Sequence, residues 1–273
     1  MTSHAPRKPS ATSKTVVSAI DGLKIYAEAI GDPSKPAIIY IHGNSTSSGV
    51  WDNQFFDEAL GDSFYQVRFD LRGHGLSETP DNDSESPYDN KKQASDVAAV
   101  LEEFSIKNPI FVAWSYGTLI PADYMSVHGH EGVRGVVVTD GLTGPPYVNQ
   151  PDVHKFFTHK GFPGFTDNTD ATKMHQAYGI FVRALTYRTW IFKRQKDWSV
   201  YMEKASQATP KLVIFGKEDG MNSLEYIDYI KTKWVPKLIT SAIINEAGHA
   251  PFLEKPEEYN KILLDWAKSV ARV

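Results

Sequence analysis

Short runs of β-branched and aromatic residues alternate along the chain with longer stretches whose apolar residues recur at spacings of three and four. Such alternation is the pattern of parallel βαβ units, in which a buried strand is followed by a helix that crosses one face of the sheet. The runs are Ala37 to Ile41, Tyr65 to Asp70, Pro109 to Trp114, Gly135 to Thr139, Lys211 to Phe215 and Ser241 to Asn245. Each is nearly continuous in Val, Ile, Phe or Tyr, as strands covered on both faces must be. Two earlier runs, Thr15 to Ile20 and Leu23 to Ile30, flank Asp21-Gly22, a hairpin signal. The pattern therefore predicts an α/β fold whose eight-stranded sheet opens antiparallel and continues parallel. Helical spacing covers Asn90 to Phe104, Thr118 to His128, Ser223 to Val235 and Pro256 to Val270, and Pro256 suits a first helical turn.

Residues 143–209 break this rhythm, and the interval is too long for a structureless loop in a compact domain. It reads as a helical lid inserted after the sixth strand. It carries nine Lys or Arg against five Asp or Glu, and 12 of the 33 aromatic residues. That charge is first of all the solvated face of helices, and most of the aromatics are lid core with a minority facing a pocket. Tyr147 and Trp190 are the substrate-binding candidates there. Residues 1–14, rich in Ser, Thr and Pro, are expected to form a disordered arm, leaving 15–142 and 210–273 as the core. An organelle-transit reading of the arm lacks the amphipathic apolar face it needs.

The whole chain of 273 residues has a net charge of −4 and no cysteine. That balance supplies no basic field for nucleic acid, and the missing thiols exclude disulfides, thiolate metal sites and a cysteine nucleophile. With no apolar run long enough for a membrane span and no secretory signal, a cytoplasmic protein is expected. No phosphate-binding or dinucleotide-binding glycine motif is present, and the His128/His130 and His154/His159 pairs lack the carboxylate or cysteine context of a metal site. The expectation is a chemistry without metal or cofactor.

Candidate chemistry sits where the predicted strands end. Ala113-Trp114-Ser115-Tyr116-Gly117 follows a strand and precedes a helix, and a serine at such a sharp corner requires small residues two positions before and after it. A lone match would be an ordinary helix-capping serine, but a serine nucleophile needs a base and an orienting acid, and both follow downstream. Glu218 and Asp219 lie just past the strand Lys211 to Phe215, and His249 lies just past Ser241 to Asn245. Asp219 is the first choice of acid, with Glu218 and Asp140 as alternatives. The backbone N–H groups of Asn44 and Tyr116 are placed to form an oxyanion hole, and the Asn44 side chain is either a third donor or a turn brace. His42, Gly43 and Trp114 join the substrate-binding candidates. Asp70 to Ser77 gathers charge and His74, yet reads as a structural turn with a buried polar network.

Taken together, His42-Gly43, Asp70 to Ser77, the serine elbow, Gly248-His249 and Glu254-Lys255-Pro256 resemble the α/β-hydrolase fold over about residues 15 to 271. Ala113 stands where that family more often has glycine. The segments around His42 to Ser47 and Ala247 to Phe252 resemble the metal-independent N-acyl homoserine lactonases of this fold. The resemblance implies a serine hydrolase for a small carboxylic ester or lactone with an apolar tail, with Ser115, His249 and Asp219 as nucleophile, base and acid. Perhydrolase, C–C bond hydrolase and ligand-receptor readings share the fold and remain alternatives.

Overall fold

The computed structural model describes residues 10–81, 86–141 and 199–271. Eight strands form one sheet: β1 (Thr12–Val17), β2 (Lys24–Ile30), β3 (Ala37–Ile41), β4 (Tyr65–Phe69), β5 (Ile110–Trp114), β6 (Gly135–Thr139), β7 (Lys211–Gly216) and β8 (Ile239–Ile244). Their spatial order is β1-β2-β4-β3-β5-β6-β7-β8. The β1–β2 and β2–β4 pairs are antiparallel and the others parallel, as the pattern predicts. Residues 142–198, which hold most of the expected lid with Tyr147 and Trp190, lie outside the described residues.

The period-two alternation of each strand divides the core. Ile39, Ile41, Phe111, Ala113, Val136 and Val138 face α3 (Asn90–Glu103), α4 (Ile120–His128) and α6 (Glu225–Lys233). Ile38, Tyr40, Ile110, Val112 and Val137 face the short helices α1 (Asp52–Phe55) and α2 (Glu58–Gly61) together with α8 (Pro256–Ala271). Helices of four residues leave no periodic trace, so α1 and α2 escape a sequence reading. The loop leaving β3 turns toward α1 on one face, whereas the loop leaving β5 turns toward α4 on the other. These adjacent strands therefore part at their carboxyl ends, and such a switch point opens a crevice.

Three boundaries differ from expectation. β1 begins at Thr12, inside the segment expected to be a free arm, because Thr12 and Ser13 pair with Ala29 and Glu28. The first hairpin is not a two-residue turn: its last pair is Val17 with Lys24, and Ser18 and Leu23 are buried in the connection. Burial of the Ser18 hydroxyl, 3.0 Å from Ser95 Oγ, draws the loop inward. At the far end of the 143–209 interval, α5 (Ser199–Ala208) places Ala205 in the main core, and Ser206 O accepts a bond from Val235 N at 3.1 Å. No helix among the described residues is long and apolar enough to cross a membrane.

Lys211 opens β7 at the end of the sheet opposite the crevice. Its side chain is fully buried, with Nζ 3.8 Å from the Trp234 ring centroid. Burial pushes its ammonium down to about 7 from the ordinary 10.5. The unfolded chain therefore binds this proton more tightly than the folded one, so stability rises with pH between about 7 and 10.5 and is lowest below that window. Lys211→Met is expected to raise stability at neutral pH and to flatten this rise, as read by urea denaturation at neutral pH and near pH ~9.

Candidate active site

β5 delivers its chain straight into a 3-10 turn, Ser115–Leu119, that continues as α4. Ser115 has φ of 51°, a left-handed backbone that a non-glycine residue adopts at a cost of roughly 1–3 kcal/mol. Side-chain-free neighbours make the turn possible. A Cβ on Gly117 would overlap the carbonyl oxygens of Ile41 and His42, and one on Gly43 would come within 2.7 Å of the Trp114 ring and 3.1 Å of Ser115 Cβ. The Thr118 hydroxyl closes the turn on Ser115 O at 2.6 Å.

Two loops bring partners to this serine. Ser115 Oγ lies 3.0 Å from His249 Nε2, and His249 Nδ1 lies 3.0 Å from Asp219 Oδ2. The chain of contacts is self-consistent when Nδ1 of a neutral imidazole donates to the carboxylate and Nε2 accepts from the hydroxyl. The His249 loop is held at both shoulders by Glu254, whose carboxylate accepts from Gly248 N at 2.9 Å and Ala250 N at 3.2 Å. Trp114 Nε1 donates to His249 O at 2.6 Å. Asp219 is fixed by Met221 N on Oδ1 at 2.7 Å and by Asn222 Nδ2 on Oδ2 at 3.0 Å. Burial opposes its ionisation, but the bond and charge of His249 outweigh that and hold its carboxyl below the usual value. Glu218, the adjacent alternative, has an exposed side chain and uses its backbone N–H on Ala247 O at 2.9 Å. Asp140, the other alternative, lies behind Asp219 and not against the imidazole line.

His42, expected among the substrate contacts, has both ring nitrogens engaged with the backbone. It is fully buried, and Leu71 N donates to its Nε2 at 2.9 Å while Nδ1 bonds Gly43 O at 2.7 Å. Burial, with His74 beside it, holds its ring far below the usual imidazole range, so it stays neutral. Thr46 Oγ1 also donates to Gly43 O, at 3.0 Å. In a trans peptide the carbonyl and the following N–H point in opposite directions. Anchoring Gly43 O therefore turns the Asn44 N–H away from His42. Gly43, also expected to touch substrate, is buried and makes room for Trp114, and the Trp114 indole braces the His249 loop. The Tyr116 N–H belongs to the first turn after β5. Asn44 Oδ1 is buried with no partner, which leaves the turn-brace role of that side chain unsupported.

Asp70 to Ser77 has the structural role expected. Asp70 accepts from Ser48 N and Leu76 N, both at 2.7 Å, and His74 Nε2 accepts from Ser45 N at 3.2 Å. These bonds tie the loop after β4 to the loop after β3. Glu254 entered the sequence reading only as part of Glu254-Lys255-Pro256, without its capping role, and Asn222 gave no chemical signal, because its amide serves Asp140 and Asp219. Among the described residues, the side chains close enough to surround a cation are Asp140, Asp219 and His249, within 4.8 Å of one another, and His249 Nδ1 is engaged with Asp219.

A sheet with one antiparallel edge, carrying serine, acid and histidine in that chain order after β5, β7 and β8, defines a hydrolase of the nucleophile-elbow class. Residues 38–262 match the alpha/beta hydrolase family, and the chain belongs to it. It is 21% identical over 289 residues to a proline iminopeptidase of Lactobacillus helveticus, covering 90% of this chain and 94% of that protein. It is 28% identical over 268 residues to 3-oxoadipate enol-lactonase 2 of Acinetobacter baylyi, again covering 90% and 94%. A crystal structure of a putative aryl esterase from Burkholderia cenocepacia superposes with a TM-score of 0.72 at 27% identity, covering 95% of this chain and 99% of that one.

Because the elbow tolerates no Cβ at position 117, Gly117→Ala is expected to cost roughly 1–3 kcal/mol in denaturant unfolding, against less than about 0.5 kcal/mol for an exposed surface change.

Proposed function

We propose that this protein hydrolyses a small carboxylic ester or lactone through an acyl-enzyme on Ser115. The observation that carries the reading is the unbroken line Ser115–His249–Asp219, with both links at 3.0 Å. A serine hydroxyl attacks only when a positioned base removes its proton. As Ser115 Oγ bonds to the carbonyl carbon, its proton passes to His249 Nε2, and Asp219 stabilises the imidazolium through Nδ1–H. The carbonyl oxygen becomes an oxyanion facing the N–H groups of Asn44 and Tyr116, each donor worth about 3–4 kcal/mol in the transition state. Collapse breaks the bond to the leaving alkoxide, which takes the proton from His249. Water then attacks the acyl carbon, giving its proton to His249, and the second collapse returns that proton to Ser115 Oγ.

For a lactone the leaving hydroxyl stays tethered, so one ring-opened acid is the product. Similarity to an enol-lactonase and an aryl esterase supports this substrate range, as does the likeness of the loops around His42 and His249 to homoserine lactonases. The aromatic residues of 143–209, Tyr147 and Trp190 among them, favour an acyl or aromatic tail over a sugar or phosphate. Equal similarity in coverage to proline iminopeptidases makes an N-terminal prolyl amide the competing substrate.

A panel of p-nitrophenyl esters, acyl homoserine lactones of several chain lengths and prolyl naphthylamide separates these readings: esters and lactones are expected to turn over well above the amide. Ser115→Ala should lower kcat by at least ~10⁴-fold with substrate binding retained, and the triple change of Ser115, His249 and Asp219 should cost little more than Ser115→Ala alone. His42→Phe keeps an aromatic ring but removes its bond to the Gly43 carbonyl, leaving Thr46 Oγ1 to hold it, so kcat should fall by about 10- to 100-fold with KM nearly constant. An equal loss in KM would instead place His42 against substrate.

A further inference from the structure

We propose that Asp140 is a protonated positioning residue, a neutral carboxylic acid that donates its hydrogen to Asp219 so that a single negative charge faces His249. The inference rests on the serine-hydrolase reading of the Ser115–His249–Asp219 line and deepens it. Asp140 closes β6 with φ of 39°, another left-handed residue at the carboxyl rim of the sheet, and its side chain is fully buried. Its carboxyl oxygens receive Gly216 N at 3.0 and 3.3 Å, and its backbone N–H donates to Ile214 O at 3.0 Å. Oxygens of the Asp140 and Asp219 carboxyl groups lie within 4.8 Å of each other. Asn222 Nδ2 spans both residues, 3.0 Å from Asp140 O and 3.0 Å from Asp219 Oδ2.

Two ionised carboxylates offer only lone pairs and repel, so carboxyl groups this close, one of them fully buried, are accommodated when one of them carries a proton. The surroundings decide which oxygen keeps it. Asp219 is served by three donors, from Met221 N, Asn222 Nδ2 and His249 Nδ1, and these favour its ionised form. Asp140 is served by one backbone donor, is dry, and feels the negative charges of Asp219 and Glu254. The other polar group near it, the Tyr259 hydroxyl, is engaged with Thr139 Oγ1 at 2.7 Å. Burial first, and the charge of Asp219 second, hold the Asp140 carboxyl well above the usual carboxylate range.

The consequence for the reaction is one of placement and charge balance. The acid proton of Asp140 fixes the rotation of Asp219 about its own carboxyl bond, leaving one oxygen aligned on His249. It also keeps the pair at one net charge, matched to the single positive charge that His249 acquires when it takes the serine proton. Asp140 touches neither substrate nor the reacting atoms, so it acts through Asp219.

An amide copies a protonated carboxyl in this setting, because its oxygen can accept from Gly216 N while its nitrogen donates to Asp219. It does not copy a carboxylate. Asp140→Ala is expected to lower kcat by about 10- to 100-fold, the worth of a donor bond to a charged acceptor, and to move the acidic limb of the kcat/KM profile to higher pH as Asp219 becomes more basic. Asp140→Asn should recover most of that turnover and restore the limb. Carboxyl-carbon NMR of aspartate-labelled protein is the companion measurement. One aspartate should stay protonated near neutral pH, vanish in Asp140→Asn, and titrate at lower pH in Asp219→Asn. Ionisation of every aspartate at neutral pH, or a protonated signal that survives Asp140→Asn, overturns the proposal, as does an Asn variant as impaired as Ala. Failure of the hydrolase reading looks different: Ser115 escapes labelling by an organophosphonate and no ester or lactone turns over, while the NMR titration still decides where the proton sits.

Discussion

The left-handed turn at Ser115 is the constraint on which the rest depends. A strand must reverse into a helix within one residue, and it does so only because nothing projects from Gly117 toward the carbonyls of β3. Once the turn is made, Ser115 stands at the sheet edge, with Tyr116 beside it in the first turn after β5. Ser45, Asp140 and Glu246 also take positive φ, and each lies just past a strand of the same rim. Backbone strain thus collects along one edge of the sheet, where the rigid strands behind it can hold unfavourable conformations in place.

Behind the rim, neutral and charged groups divide the labour. His42 and His74 are buried, and each uses one ring nitrogen to accept a backbone N–H and the other on a backbone carbonyl, His42 serving the loop after β4 and His74 the loop after β3. Charge is confined to places where it is matched. Arg72 is fully buried and bonds Asp96 through Nε at 2.7 Å and Asp21 through Nη1 at 2.9 Å. This anchors the Asp70 to Ser77 loop to α3 and to the first hairpin, so the loop that braces the β3 rim is itself braced from below. At the other end of the sheet, burial of the Lys211 ammonium favours its neutral form instead.

Much of the fold was readable along the chain because parallel strands buried on both faces have an unambiguous composition. β3 and β6 fall where the runs Ala37 to Ile41 and Gly135 to Thr139 place them. Ser115 and His249 were legible for a related reason: each stands one short loop past such a run. Residues whose role depends on a partner distant in sequence were not legible. His42, Gly43 and Trp114 stood out by position as pocket residues, whereas their contacts with the loop after β3 and with the histidine loop appear only in the structure. Asn222 carried no signal and Glu254 only a motif position without a role, since a side chain that caps a loop looks like any surface acid or amide.

From its residues alone, the chain determined the succession of the eight strands and four long helices of the core, the class of chemistry, and the three loop positions that carry serine, acid and histidine. Local pattern suffices there, since burial periodicity and the demands of a tight turn act over a few neighbouring residues. Tertiary structure alone decided between Asp219, Glu218 and Asp140, three carboxyls that composition cannot rank. Their difference is one of exposure and partners: Glu218 faces solvent, Asp219 meets the imidazole, and Asp140 lies dry behind it. Those environments exist only after β6, β7 and β8 have come side by side, because a carboxyl takes its charge state from what surrounds it in space.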